Sequence, residues 1–193
     1  SHTRTFVLTV QPVEDSPVIT QVTPQTVEED GSVTVALSAS DVDAGDTQTF
    51  TVATVENVTA EISTEGSSVV LTPEADFFGD RSVTVTVTDG DNLTDASTFD
   101  LTVTPVNDAP IMGSFDDIVN VNENGSVIVP LVATDVDDTE LSFSATSEIT
   151  SIEFSVLENE LTITSAGDYN GQTTVVVTVT DPEGLSSSSN LLL

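Results

Sequence analysis

The 193-residue sequence has no cysteine, no tryptophan, one histidine and only two basic residues. Without cysteine, disulfides and thiolate metal sites are excluded. Two basic side chains cannot neutralise a row of phosphates, so nucleic-acid binding is excluded, and an anionic membrane surface would repel the chain. No apolar run approaches the roughly 20 residues that a membrane-spanning helix needs. We therefore expect neither nucleic acid as a partner nor insertion into a membrane.

The sequence is rich in acidic residues, valine and threonine. The 33 acidic residues outnumber the two basic ones and give a net charge of −31. A charge this large with little apolar content would indicate disorder, but 37% of the residues are hydrophobic. Valine and threonine, which favour strands, contribute 30 and 31 residues. This composition predicts a folded all-β protein with an acidic surface that needs cations.

Five short motifs recur in the same order at an offset of 92 to 94 residues. They are residues 13–17 and 106–110, 27–33 and 121–127, 41–43 and 135–137, 76–79 and 168–171, and 87–89 and 179–181. This internal repetition predicts two homologous domains, 13–105 and 106–193, the second truncated at its last strand. Residues 1–12 are predicted to hold a cloning remnant at Ser1-His2 and the terminal strand of a preceding repeat.

Within each domain the apolar residues alternate with polar ones. Val83, Val85 and Val87 are separated by threonine, as in a half-buried strand, and residues 175–179 repeat the pattern. Further strands are predicted at 33–39, 50–53, 69–71, 99–103, 127–133, 141–145, 161–163 and the C-terminus. About seven short strands per domain, separated by Gly, Asp, Asn and Pro, predict an immunoglobulin-like β-sandwich. The predicted architecture is therefore two such sandwiches in tandem.

Several acidic residues fall at the recurring motifs, at strand ends and at the junction between the domains. A hard cation such as Ca²⁺ takes six to eight oxygen ligands from carboxylates, amides and carbonyls. An Asp-x-Asp turn such as 41–43 offers two carboxylates to one ion, and Asn107-Asp108 adds an amide and a carboxylate. A single loop aspartate is more often simply solvated. Clustered like charges, however, cost free energy unless a cation offsets them, so the recurring set favours Ca²⁺ binding.

At these motifs the sequence resembles bacterial cadherin-like repeats, which occur in tandem in large secreted and surface proteins. The resemblance covers both domains and implies calcium ligands at matching positions. For the site between the two domains they are Glu29, Asp76, Asn107, Asp108, Asp135, Asp137 and Asp181. For half of an upstream site they are Glu14, Asp15, Asp41, Asp43 and Asp89, and for half of a downstream site Glu123 and Asp168.

Three departures from the family pattern reduce the number of ligands. Pro105 stands where the family linker has an aspartate, and Glu14 replaces the linker asparagine upstream. The Asp-x-Glu motif of the family is reduced to Asp76-Phe77-Phe78 in the first domain and to Asp168-Tyr169-Asn170 in the second. With fewer carboxylates, we expect one or two ions per junction.

The resemblance implies a calcium-dependent structural extender of a bacterial cell-surface adhesin or large secreted protein, located outside the cell. Its partners would be the neighbouring repeats of the same chain, and a cell-surface or glycan ligand is a further candidate. Two alternatives stay open. The threonine ladder at Thr84, Thr86 and Thr88 could bind a glycan or ice, and the segment could be an accessory domain of a secreted enzyme. No enzymatic activity is predicted, because the sequence offers no nucleophile, histidine and acid in combination.

Overall fold

The protein is described from a computed structural model that covers residues 3–11, 13–43, 45–165, 167 and 169–193. The chain divides into two compact units, Ser1–Val106 and Asn107–Leu193. Every regular element in the described residues is a β-strand, so the predicted all-β class is confirmed. None of the described residues forms a helix that is long and apolar enough to cross a membrane.

The first unit consists of two sheets and a short strand pair. Its described strands are β1 (Val18–Ile19), β2 (Gln25–Glu28), β3 (Val33–Ala36), β4 (Ala39–Ser40), β5 (Thr49–Val52), β6 (Val58–Ile62), β7 (Ser68–Pro73), β8 (Gly79–Thr88) and β9 (Thr94–Thr104). One sheet has the order β2-β9-β8-β5 and the other β3-β7-β6, while β1 pairs with β4. All pairs are antiparallel except β2 with β9, which is parallel.

The two sheets of the first unit enclose one hydrophobic core. Val83, Val85 and Val87 of β8 are completely buried, and the threonines between them are half-buried, which confirms the predicted alternation. Leu71 of β7, in the other sheet, belongs to the same cluster of buried side chains as Leu101 of β9. A core shared by the inner faces of two sheets is the defining feature of a β-sandwich.

The second unit repeats this plan. Its described strands are β10 (Ile111–Met112), β11 (Ser126–Pro130), β12 (Ala133–Thr134), β13 (Ser142–Thr146), β14 (Ile152–Leu157), β15 (Glu160–Ser165), β16 (Thr174–Thr180) and β17 (Ser186–Leu192). The sheets have the orders β13-β16-β17 and β11-β15-β14, and β10 pairs with β12. Leu161 and Ile163 of β15 pack in one core with Val175 and Val177 of β16.

The strand predicted over residues 33–39 is divided in the structure. β3 pairs with β7 up to Ala36, whereas β4 pairs with β1, so the chain changes partners between them. The Leu37 N–H donates to the Ser67 carbonyl, and the Ser38 carbonyl accepts from Thr20 N–H. Leu37 itself stays buried, as the alternation predicts. The same division separates β11 from β12 in the second unit.

Residues 3–11 form no strand in the structure, and the side chains of Phe6, Leu8 and Val10 are exposed. The proposal that this segment is the last strand of a preceding repeat stays a prediction.

Candidate metal centre

The turn between β8 and β9 of the first unit is organised by Asp89. Its Oδ1 accepts hydrogen bonds from the backbone N–H groups of Asp91 (3.0 Å) and Leu93 (2.8 Å). A short side chain that bonds backbone groups just ahead of it stabilises a turn, which is why an aspartate suits this position. The side chain of Asp89 is only 7% exposed. Its Oδ2 is buried and has no hydrogen-bond partner within the described part of the chain.

The Asp-x-Asp turn after β4 lies beside the start of the unit. Oδ1 of Asp41 accepts from Asp43 N–H (3.0 Å), and Oδ2 of Asp43 accepts from Asp15 N–H (2.7 Å). Oδ2 of Asp41 is buried, again without a hydrogen-bond partner among the described residues. The predicted upstream residues Asp15, Asp41 and Asp43 are thus gathered by backbone hydrogen bonds.

Two groups of three carboxylates form where these turns meet. One consists of Asp41, Asp46 and Asp89, the other of Glu14, Asp46 and Asp91, and within each group the candidate ligand oxygens lie within 4.8 Å of one another. Asp91, followed by Asp43, raises the pKa of Glu14 by electrostatic repulsion. Partial burial, followed by repulsion from Asp91, raises the pKa of Asp46. For Glu14 and Asp46, repulsion from neighbouring carboxylates thus acts against the charged form.

Asp46 and Asp91 were not among the residues predicted from the sequence. Neither matches a family motif, although Asp89-Gly90-Asp91 is a second Asp-x-Asp and Asp46 closes the loop that begins with the first. Counting acidic residues within the two loops would have found them.

The start of the second unit has a related arrangement with one important difference. Asp181 Oδ1 accepts hydrogen bonds from the N–H groups of Gly184 and Leu185, and its Oδ2 accepts from Asn107 Nδ2 (2.8 Å). Burial raises the pKa of Asp181, but the hydrogen bonds from Asn107, Gly184 and Leu185 together outweigh it, so the pKa lies below its ordinary value. Both carboxylate oxygens of Asp181 are therefore engaged.

The Asp-x-Asp turn of the second unit holds the linker in the same way as its counterpart. Asp135 Oδ1 accepts from Asp137 N–H (2.9 Å) and Asp138 N–H (3.1 Å), and Asp137 Oδ2 accepts from Asp108 N–H (2.8 Å). Oδ2 of Asp135 is buried and, among the described residues, has no hydrogen-bond partner. The structure thus brings together the five residues that the second unit was predicted to contribute to the site at its start, which are Asn107, Asp108, Asp135, Asp137 and Asp181.

A further group of acids accompanies this turn. Oxygens of Asp138, Asp181 and Glu183 lie within 4.8 Å of one another. A hydrogen bond with Asp138 raises the pKa of Glu183, and burial adds to the shift. Asp138 and Glu183, like Asp46 and Asp91, match no family motif and were missed from the sequence.

The remaining predicted ligands lie elsewhere. Glu29 follows β2, is 3% exposed, and its Oε1 accepts from Val106 N–H (2.7 Å). Asp76 is exposed in the turn before β8, with a φ of 60°. In the second unit Glu123 is exposed and its Oε1 accepts from Asn170 Nδ2 (3.5 Å). Asp168 lies outside the described residues.

These donor sets fit a hard cation. All are oxygens, two of the carboxylates in the first unit carry buried oxygens without a hydrogen-bond donor among the described residues, and neighbouring charges repel one another. Ca²⁺ suits such a site because it accepts carboxylate, amide and carbonyl oxygens in flexible geometry. Bound there, Ca²⁺ would supply the positive charge that the cluster lacks.

The fold and the repetition define the class of this chain as tandem immunoglobulin-like β-sandwiches. The family model described as "Bacterial Ig domain" (Big_9) matches residues 14–102 and again 107–193. The chain therefore belongs to the bacterial Ig domain family. A comparison with curated proteins gave no match.

Solved structures with a similar fold include cadherin ectodomains. Mouse cadherin-23 EC22-24 is 21% identical, with a TM-score of 0.54 over 92% of this chain and 63% of that chain. Human CDH23 EC21-23 is 18% identical, with a TM-score of 0.52 over 95% and 65%. Protocadherin gamma B7 extracellular cadherin domains 1-4 are 19% identical, with a TM-score of 0.50 over 92% and 49%. This chain thus spans less than two thirds of each of these structures, and the likeness concerns the fold. The predicted cadherin-like character of the repeats is confirmed at that level.

Proposed function

We propose that this chain is a calcium-dependent spacer segment of an extracellular bacterial protein, such as a surface adhesin or a large secreted protein. The observation that carries the proposal is the acidic network at the start of the second unit. There the linker residues Asn107 and Asp108 are hydrogen-bonded to Asp181 and Asp137. The ligands that we propose for the ion therefore include the residues with which the chain enters the second unit.

The proposed mechanism is linkage between ion binding and linker conformation. Ca²⁺ held by Asp108, Asp135 and Asp137 fixes the backbone at the beginning of the second unit. As the family resemblance implies, Glu29 and Asp76 complete the ligand set from the first unit. An ion that binds one linker conformation and not the others stabilises it by RT ln(1 + [L]/Kd), about 2.7 kcal/mol at a hundredfold excess over Kd. Without Ca²⁺, repulsion among the carboxylates loosens the linker.

Small-angle scattering with and without calcium tests this mechanism. The profile of the chain in millimolar Ca²⁺ should show a narrower range of conformations than the profile in EDTA. The variant Asp108→Ala should give the EDTA-like profile in both conditions. Glu153→Ala, which removes an exposed acid from β14, is the matched control and should behave as the parent protein. Superimposable profiles of the parent protein in calcium and in EDTA would contradict the proposal.

Calorimetric titration addresses the site itself. The parent chain should bind Ca²⁺ in the range of about 10⁻⁴–10⁻³ M that is common for extracellular modules. Asp108→Ala should remove or weaken one class of sites at least tenfold. An unchanged titration of Asp108→Ala would show that the linker residues do not bind the ion.

A further inference from the structure

The second unit has an apolar groove between two stretches of its chain. One wall is the segment 114–120 that follows β10, and the other is β11 with the residues up to Val132. The cavity between the walls measures about 660 Å³. Ile118, Ile128 and Val132 line it and are 64%, 57% and 59% exposed. Single exposed apolar residues are common, whereas several around one groove indicate an interaction surface.

The corresponding groove of the first unit is smaller and polar. Its cavity measures about 280 Å³. There Ser38 Oγ donates a 2.9 Å hydrogen bond to Thr20 Oγ1, which joins the two walls. At the same place in the second unit the N–H of Gly113 donates to the Val132 carbonyl, as Thr20 N–H does to Ser38, but neither residue has a hydroxyl. Since the first unit folds with hydroxyl groups here, the fold itself does not require the apolar groove of the second.

The groove runs along an edge strand. β11 is the outermost strand of the sheet β11-β15-β14, so only one of its sides is paired within that sheet. The backbone N–H and C=O groups on the open side of such a strand can pair with an added strand. Pro130 has no N–H, which confines this pairing to the first residues of β11. Ile128 lies among them, where the first unit has Thr34. An extended apolar segment would gain both backbone hydrogen bonds and apolar contacts at this edge.

Residues 3–11 have the properties of such a segment. Phe6, Leu8 and Val10 are 87%, 77% and 82% exposed, and none of the described strands pairs with this stretch. Residues 5–10 are threonine, valine, leucine and phenylalanine, of which all but leucine favour strands. The segment therefore carries the pattern of a strand without a sheet to join.

Charge favours the pairing of this segment with the groove. Residues 3–11 contain no acidic residue and include Arg4, one of two basic residues in a chain with a net charge of −31. The groove wall presents the exposed carboxylate of Asp116, and Asp117, also exposed, follows it. An acidic segment of a second copy would be repelled from this wall, whereas residues 3–11 are attracted to it.

We propose that residues 3–11 of one copy of this chain add as a strand to the β11 edge of a second copy. Phe6, Leu8 and Val10 supply the apolar contacts, and the terminal strand predicted from the sequence thereby gains a sheet. Because the added segment and the groove are different surfaces, the contact is heterologous, and copies join head to tail. The contact uses none of the candidate calcium ligands, so this proposal is tested separately from the proposed function.

Sedimentation velocity of the full chain in EDTA tests the proposal. The parent protein should associate increasingly as its concentration rises towards the millimolar range. Leu8→Glu in the segment and Ile128→Glu in the groove each place a charge in the apolar contact, and each should weaken association about tenfold or more. Thr34→Glu, at the corresponding exposed position of the first unit, is the matched control and should associate as the parent does.

An exchange of charges gives a readout that a loss of folding would not produce. Arg4→Glu should weaken association, and adding Asp116→Arg to the same chain should restore it. A synthetic peptide of residues 3–11 should compete with association and shift the amide NMR signal of Ile128 without shifting that of Thr34.

Three results would overturn the proposal. The first is a parent protein that stays monomeric at every concentration. The second is association that Leu8→Glu leaves unchanged, because another surface would then hold the copies together. The third is association that Thr34→Glu weakens as much as Ile128→Glu does, because the contact would then not be specific to the groove of the second unit.

Discussion

Glu29 allows the sharpest test of how the linker and calcium are connected. The residue is 3% exposed, and its Oε1 accepts a 2.7 Å hydrogen bond from the N–H of Val106, at the end of the first unit. Two substitutions separate its roles. Glu29→Gln keeps the size of the side chain and an oxygen that can accept the same hydrogen bond, whereas Glu29→Ala removes both the charge and the acceptor.

In EDTA the two variants should differ clearly. A hydrogen bond to a charged group contributes about 1.5–3 kcal/mol, so Glu29→Ala should lower the unfolding free energy of the first unit by that amount. For a domain of about 100 residues, a loss of 1.5 kcal/mol corresponds to roughly 6–12 °C in melting temperature. Glu29→Gln should cost much less, because the hydrogen bond survives and a buried negative charge is removed.

In calcium, Glu29→Gln should lose the part of the calcium-dependent stabilisation that depends on the negative charge of Glu29. If Kd is about 0.1 mM, then about 10 mM Ca²⁺ stabilises the parent by about 2.7 kcal/mol. A tenfold weaker Kd in Glu29→Gln reduces this to about 1.4 kcal/mol. Differential scanning calorimetry in EDTA and in calcium measures both effects. Glu28→Gln, the exposed neighbour on β2, is the matched control and should keep the full calcium shift.

Two results would refute the reasoning about Glu29. An equal calcium shift in Glu29→Gln and the parent would show that this carboxylate is not a ligand. Equal melting temperatures of Glu29→Ala and the parent in EDTA would show that the hydrogen bond to Val106 contributes no stability.

Three further substitutions test the packing of the separate units. Leu161→Ala empties a fully buried position of β15 and should destabilise the second unit by about 2–5 kcal/mol, seen in calorimetry as a shift of one transition only. Arg81→Leu removes a guanidinium that lies 4.1 Å from the ring centroid of Phe77 and should cost the first unit about 1–2 kcal/mol; an unchanged urea midpoint would contradict this. Gly113→Ala places a Cβ 2.7 Å from the carbonyl oxygen of Val132 and should destabilise the second unit by about 1–3 kcal/mol, whereas a gain in melting temperature would contradict the close approach.

The strands that the sequence predicts well are those with a strict alternation of valine and threonine. Val83, Val85 and Val87 are buried because one face of β8 packs in the core. The requirement for an apolar residue at every second position can be read directly from the sequence. β6 was missed, since its sequence Val-Thr-Ala-Glu-Ile gives only a weak apolar face. The break between β3 and β4 was also missed, because a change of pairing partner leaves the period of two intact.

The candidate metal ligands were likewise predicted only in part from the sequence. Asp41 and Asp89 were predicted because the repetition fixes their place in both units. Asp46 was not, because it lies outside the Asp-x-Asp motif that recurs in the two units. Its closeness to Asp89 depends on how two loops fold towards each other, which a one-dimensional pattern does not record.

The parallel pairing of β2 with β9 has a mechanical consequence. In the sequence of the first unit, β2 lies near the beginning and β9 near the end. The two strands pair directly, from Gln25 opposite Leu101 to Glu28 opposite Thr104. A force that pulls the start of β2 away from the end of β9 acts along both strands in opposite directions. The hydrogen bonds between the two strands are then loaded in shear, so they must break together and not one after another. The first unit is thereby built to withstand stretching along its own chain.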